Sequence, residues 1–260
     1  MVFGALVFAA PSSVQAGSTP TCGGVPATIV GTAGDDTLSG TEDNDVIVGL
    51  GGDDLIRGGE GNDLVCGGTG DDSLYSGPSG VMPGREEVYG GSGNDKLFAG
   101  FVEEPISDTA WETAYLYGGR GDDVLHSARC ECEANLIPGP GNDRVVVMHK
   151  SRWLVYVIYR FVHHGILVDL AAGYAQAAGR DLLTGWVLQV YGSAHDDILL
   201  GSARGNEALL GLNGSDTIRG REGNDILIGG RGADRLYGGR GRDNCQGGSR
   251  RDRLYGCEEP

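Results

Sequence analysis

The 260 residues are 40% hydrophobic and 7% aromatic, include 48 glycines and carry a formal net charge of −16. So little apolar material excludes a thick conventional core. With 36 carboxylates against 20 Lys and Arg, a nucleic-acid partner is excluded too, because neutralising phosphates takes clustered basic side chains.

The chain opens MVFGALVFAAPSSVQAGST, with a short apolar run from Val2 to Ala10 and a small-x-small cleavage signature at Val14-Gln15-Ala16. Residues 1–16 are therefore expected to be a secretory signal peptide, and 17–30 an N-terminal extension that caps the rest of the chain. The other long apolar run, 153–168, holds Arg160, His163 and His164 and is too short and too charged for a bilayer span. Six cysteines lie beyond residue 16: Cys22, Cys66, Cys130, Cys132, Cys245 and Cys257. An even count outside the cell suggests disulfides, with a connectivity that sequence leaves open. Proximity favours Cys245 with Cys257 and leaves Cys22 with Cys66 as a clamp on the segment between them. The rival reading of Cys130-Glu131-Cys132 as a zinc site lacks a CxxC pair or a histidine at ligand spacing.

From Gly31, five nine-residue units run on without a gap: GTAGDDTLS, GTEDNDVIV, GLGGDDLIR, GGEGNDLVC and GGTGDDSLY. Position six is always aspartate (Asp36, Asp45, Asp54, Asp63, Asp72) and position eight always apolar (Leu38, Ile47, Ile56, Val65, Leu74). So much glycine, with no apolar spacing of three and four, rules out a helix. Glycines at positions one, two and four suit a tight turn, and the last three residues make a short strand with one inward side chain. Each unit is half a coil.

These residues resemble the repeats-in-toxin (RTX) calcium-binding nonapeptides, consensus GGxGxDxUx, of secreted bacterial proteins. The resemblance implies an all-β fold, a right-handed parallel β-roll or β-solenoid. It also implies several Ca²⁺ ions held in each row of turns by position-six aspartates and glycine carbonyls of successive coils.

The register continues through GGSGNDKLF (90–98), GGRGDDVLH (118–126) and PGPGNDRVV (138–146), with stretched units at 76–89, 99–117 and 127–137. If units alternate between two sides, every insertion falls on one side, as loops of a solenoid do. Residues 31–146 therefore form one block. Its regular side aligns Asp36, Asp54, Asp72, Asp95, Asp123 and Asp143; the other degrades through Glu86 and Ala114.

Residues 147–191 read as non-repeat linking coils with apolar strands and without metal ligands. A second block, 192–241, keeps Asp197, Asp216, Asp225 and Asp234 at position six, with Glu207 in an irregular ten-residue unit. Residues 242–260 retain Asp243 and Asp252, but Arg242, Arg250 and Arg251 crowd the turns, and this segment is expected to cap the roll.

Inside each unit, one inward side chain returns less than the entropy of ordering nine residues. Stacked carboxylates add repulsion, so a divalent ion is needed between them. Ca²⁺ suits carbonyl and carboxylate oxygens in flexible geometry better than Mg²⁺ does. The expected metal ligands are Asp36, Asp45, Asp54, Asp63, Asp72, Asp95, Asp123, Asp143, Asp197, Asp216, Asp225 and Asp234.

Catalytic motifs are missing. His126, His149, His163, His164 and His195 form no HExxH, and no GxSxG elbow or Walker loop occurs. Pairs such as Asp35-Asp36 recur with the repeat, which fits metal ligation rather than glycoside hydrolysis. The expectation is a secreted calcium-binding protein, free or held at the cell surface, that acts as a non-catalytic structural or binding module. Its protein or polysaccharide partner is not legible. The alternative is a secreted enzyme, for instance polysaccharide-modifying, with its site in the inserted loops, where Trp111 and Tyr115 lie.

Overall fold

The computed structural model describes residues 19–77, 84–100, 112–127, 133–147, 155–203, 205–248 and 251–258. The expected signal peptide, Cys130, Cys132, His149 and Trp111 lie outside them. Among the described residues every regular element is a strand, and no helix is long and apolar enough to cross a membrane.

Successive units deliver their strands alternately to two facing sheets. Among the described residues one, the wide sheet, has 13 strands and the other, the narrow sheet, has 11. Neighbouring strands within a sheet are parallel and come from units two apart in sequence: Leu38 lies beside Ile56 and Ile56 beside Leu74 in the wide sheet, Ile47 beside Val65 in the narrow one. A strand of three residues turns one side chain inward, and here that side chain is position eight. Ile47, Ile56, Val65, Leu74, Leu97 and Leu125 are all fully buried. The core is thus a double file of single apolar residues, one per unit. The fold is a parallel β-solenoid of the roll type.

Position one of the turns passes so close to the next coil, and positions two and four to the preceding one, that most of them admit no side chain. Gly59 and Gly61, with φ of 108° and 113°, lie in the region open to glycine. A Cβ on either would strike the backbone of the preceding coil at Thr41 and Asp43.

At the N-terminus, Thr21–Cys22 and Val25–Pro26 form a hairpin around Gly23 and Gly24, both at positive φ, as a two-residue turn of this kind requires. Cys22 is bonded to Cys66, and Cys245 to Cys257 at the other end. The second is the pair that proximity favoured, and the first is the clamp that it left.

The linking segment departs from expectation. Leu167–Asp169, Tyr174–Gln176 and Arg180–Thr184 form an antiparallel run inside the otherwise parallel wide sheet. The reversal has a local cause. Asp169 Oδ1 accepts the N–H groups of Ala171 and Ala172, each at 3.1 Å, and Gly173, at φ 72°, donates to the Asp169 carbonyl. Those contacts close a tight turn that sends the chain back. Arg180–Thr184 then pairs with Arg144–Val146, while Leu167–Asp169 pairs with Ile198–Leu200. Two extra strands therefore sit in the wide sheet at a level where the narrow sheet has none, since Val155–Ile158 pairs directly with Gln189–Tyr191.

Candidate metal centre

Each position-six carboxylate turns inward at the corner of its coil, and the next coil fixes one of its oxygens. The Asp54 N–H donates to Asp72 Oδ1, that of Asp72 to Asp95 Oδ1, and that of Asp95 to Asp123 Oδ1, each at 2.8 Å. Asp123 continues to Asp143 at 2.8 Å and Asp143 to Asp181 at 3.2 Å. On the opposite corner Asp45 donates to Asp63 Oδ1 and Asp63 to Glu86 Oε2. In the second block the rows run Asp197 to Asp216 to Asp234 and Glu207 to Asp225 to Asp243.

The second oxygen is the informative one. Oδ2 of Asp54, Asp63, Asp72, Asp95, Asp123, Asp143, Asp216, Asp225 and Asp234 is buried with no hydrogen-bond partner. So are Oδ2 of Asp181 and Asp243 and Oε2 of Glu207. A buried carboxylate oxygen left in this state is costly. In the regular units the unpartnered oxygen points to the gap left by a position-one glycine, where the carbonyl of the next coil also arrives. A Cβ added at Gly49 would collide with Asp54 Oδ2 and the Gly67 carbonyl, one at Gly211 with Asp216 Oδ2 and the Gly229 carbonyl.

Among the described residues no three His, Cys, Asp or Glu side chains cluster at metal-ligand distance. The donors assembled at each corner are one or two carboxylates completed by backbone carbonyls. That all-oxygen, partly carbonyl set fits Ca²⁺, whose coordination is large and adaptable.

The electrostatics agree. Burial, opposed by the backbone hydrogen bond and reinforced by neighbouring carboxylates, raises Asp72 and Asp95 to about 7. Burial is also the leading cause that raises Asp63 and Asp181 to about 6, Asp123 and Asp216 to about 7, and Asp143 to about 8. Such groups ionise reluctantly beside one another unless a positive charge joins them.

Three of the twelve sequence-predicted aspartates differ. Asp36 Oδ2 accepts the N–H and hydroxyl of Thr32, Asp45 Oδ2 those of Thr41, and the two Asp197 oxygens those of Ser193. Each begins its row, and position two of its unit is Thr or Ser instead of Gly. Glu207, first of the fourth row, follows suit: its Oε1 accepts the Ser202 hydroxyl at 2.5 Å. Although burial raises Asp45, the Thr41 and Thr28 hydrogen bonds outweigh it and hold the group below its ordinary value.

Sequence reasoning missed four members of the rows or undervalued them. Asp181 joins the row of Asp143, so the linking segment does contribute a carboxylate, contrary to expectation. Its signal was present in GRDLLT, which is the second half of a nonapeptide. Asp243 is buried, whereas Arg242 beside it is exposed and gives its N–H to Asn224 Oδ1. The arginine crowding expected to spoil this corner is directed outward. Glu86 and Glu207 stand at the aspartate position, and both are buried there as the aspartates are. Beyond Glu86 the row ends, because Ala114 and then Ala134 occupy its place.

Position five carries a second ladder of opposite sense. Asp53 N–H donates to Asp35 Oδ1, Asp71 to Asp53, Asn94 to Asp71 and Asp122 to Asn94, at 2.7 to 2.9 Å. These exposed side chains bind each coil to the one before it, which explains the recurring DD and ND.

The chain matches the family described as RTX calcium-binding nonapeptide repeat (4 copies) over residues 28–56, 39–74, 83–101, 115–129, 210–245 and 237–256. The unmatched stretch between 129 and 210 contains the antiparallel run. Among curated proteins, none matches this chain.

Proposed function

Since the chain belongs to the RTX calcium-binding nonapeptide-repeat family, we propose that it is a secreted protein without catalysis of its own, folded by calcium into a rigid module for binding or structure. The observation that carries this reading is the set of buried, unpartnered carboxylate oxygens facing glycine carbonyls at successive corners. Bound Ca²⁺ would supply the positive charge that lets those carboxylates remain ionised together.

The carboxylates then have distinct roles. Asp54, Asp72, Asp95, Asp123, Asp143 and Asp181 hold ions along one edge. Asp63 with Glu86, and Glu207 with Asp225 and Asp243, do so along the other. Asp216 and Asp234 serve the second block. Two disulfides at the ends suit an oxidising compartment outside the cell.

The test is circular dichroism of the purified protein during calcium titration, with Mg²⁺ and EGTA controls. A β-signal that builds cooperatively with Ca²⁺, and not with Mg²⁺, is expected. An unchanged β-spectrum in excess EGTA would overturn the coupling of folding to calcium.

A further inference from the structure

Tyr159 stands at a place in its coil where a side chain is unexpected. Along the corners that lead from the narrow sheet to the wide one, the position-one N–H donates to the position-nine carbonyl of the next narrow-sheet strand. Gly31 does so to Val48, Gly192 to Leu210 and Tyr159 to Tyr191, at 2.8 to 2.9 Å. Tyr159 thus holds in its coil the place that Gly31 and Gly192 hold in theirs. A side chain there runs into the carboxylate row, since a Cβ on Gly192 would strike Asp197 Oδ2. The coil of Tyr159 has room for one, because Ile166 replaces the carboxylate at its corner and gives its N–H to Asp197 Oδ1 at 2.9 Å.

The phenol enters the row just past its last carboxylate, Asp181. The strand beyond Asp181 runs the other way and sets Ala175 opposite it, and with Ile166 at the following corner the row has no further carboxylate until Asp197. Tyr159 is 2% exposed, and its hydroxyl lies at the margin of hydrogen-bonding reach of Asp181 and within the field of Asp143, yet it bonds to neither. Oδ2 of Asp143 and Oδ2 of Asp181 are likewise buried without a partner. Where rows begin, by contrast, the hydroxyls of Thr32, Thr41 and Ser193 do bond to their carboxylates. A buried donor and two buried acceptors that lie together unbonded call for something that all three can hold. Two carboxylates and a neutral hydroxyl form an oxygen-only set of the kind that suits Ca²⁺.

We infer that Tyr159 is the ligand that closes the first-block row: its hydroxyl oxygen completes, with Asp143 and Asp181, the last calcium site along this edge. The inference rests on the calcium reading above and adds one residue to it.

Bound calcium is counted by calorimetry and equilibrium dialysis on the full chain, with the β-signal recorded in parallel, for the wild type, Tyr159→Phe, Asp181→Asn and the double variant. Tyr159→Phe keeps the ring and should regain the full β-signal in saturating calcium, while one ion is lost or held at least about tenfold more weakly. The double variant should bind no worse than Asp181→Asn alone, because both residues serve one ion. Tyr156→Phe, on the outer face of Val155–Ile158, should bind as the wild type does. Unchanged number and affinity of ions in Tyr159→Phe overturns the inference, a bound water then filling the corner, and leaves the calcium reading standing. Losses that add in the double variant overturn it as well. So does a Tyr159→Phe chain that fails to fold in saturating calcium, since a closing ligand affects only the last ion. A wild type without a calcium-dependent β-signal overturns the calcium reading itself.

Discussion

Thr41 gives both its backbone N–H, at 2.7 Å, and its hydroxyl, at 2.9 Å, to a single oxygen of Asp45. In later members of the rows the second carboxylate oxygen has no hydrogen-bond partner, whereas here Asp45's own turn supplies one, and Thr28 Oγ1 donates to Oδ1 at 2.9 Å. Thr41→Val keeps the branched shape and removes the hydroxyl, so it should cost about 1 kcal/mol and lower the melting temperature by a few degrees. The calcium concentration at the folding midpoint should move little. Thermal denaturation in saturating calcium measures the first, and a calcium titration followed by circular dichroism the second.

Asp181 closes the row that Asp143 continues. If both serve the same ion, Asp181→Asn and Asp143→Asn should each raise the calcium midpoint by on the order of tenfold. Asp35→Asn should leave it unchanged, because position five needs only an amide or carboxylate oxygen as acceptor, and Asn44 already serves there for Asn62. A calcium titration of the three variants separates ligand from ladder.

Acid should replace calcium in part. Burial, the leading cause, raises Asp72, Asp95 and Asp123 to about 7 and Asp143 to about 8 in the folded chain, against an ordinary value of 3.8 in the unfolded one. Between those values the folded state holds protons that the unfolded state releases. Stability without metal must therefore fall as pH rises from about 4 to about 8. In EGTA the β-signal should be stronger at about pH 5 than at about pH 8. Calcium added near neutral pH should release protons, which weakly buffered titration detects.

Leu50 stands at position two with φ 80° and is 40% exposed. A left-handed leucine costs on the order of 1 to 3 kcal/mol, and the position is Gly59 and Gly68 in the two units that follow. Leu50→Gly relieves the strain but adds roughly 0.5 to 1 kcal/mol of unfolded-state entropy. The net expectation is a gain of about 1 kcal/mol, read as a higher melting temperature in calcium.

The nonapeptide itself made the roll legible, because Asp54 and Ile56 can hold positions six and eight in only one way once the glycine turns are placed. The Cys245–Cys257 disulfide agrees with the proximity argument, and the alignment of Asp54 through Asp143 with the register. What stayed hidden depended on space rather than pattern. GRDLLT carries the second half of a nonapeptide without the glycine pair that opens one, so its signal is weak, and strand pairing is what brings Asp181 beside Asp143. The sharp turn at Asp169 to Gly173 looks like ordinary loop chemistry in the sequence, although it inverts a strand. Thr32, Thr41 and Ser193 read as tolerated glycine replacements, and only their hydrogen bonds reveal a purpose.

The inverted strand bears on how the molecule is assembled. Arg144–Val146 finds its neighbour in Arg180–Thr184, not in Leu167–Asp169, which comes earlier in the chain. A polypeptide winding coil upon coil from its N-terminus must therefore skip a segment at this point and return to it after a later one has docked. Winding should stall once near the middle, so the two halves would crystallise around separate seeds before their seam is zipped shut.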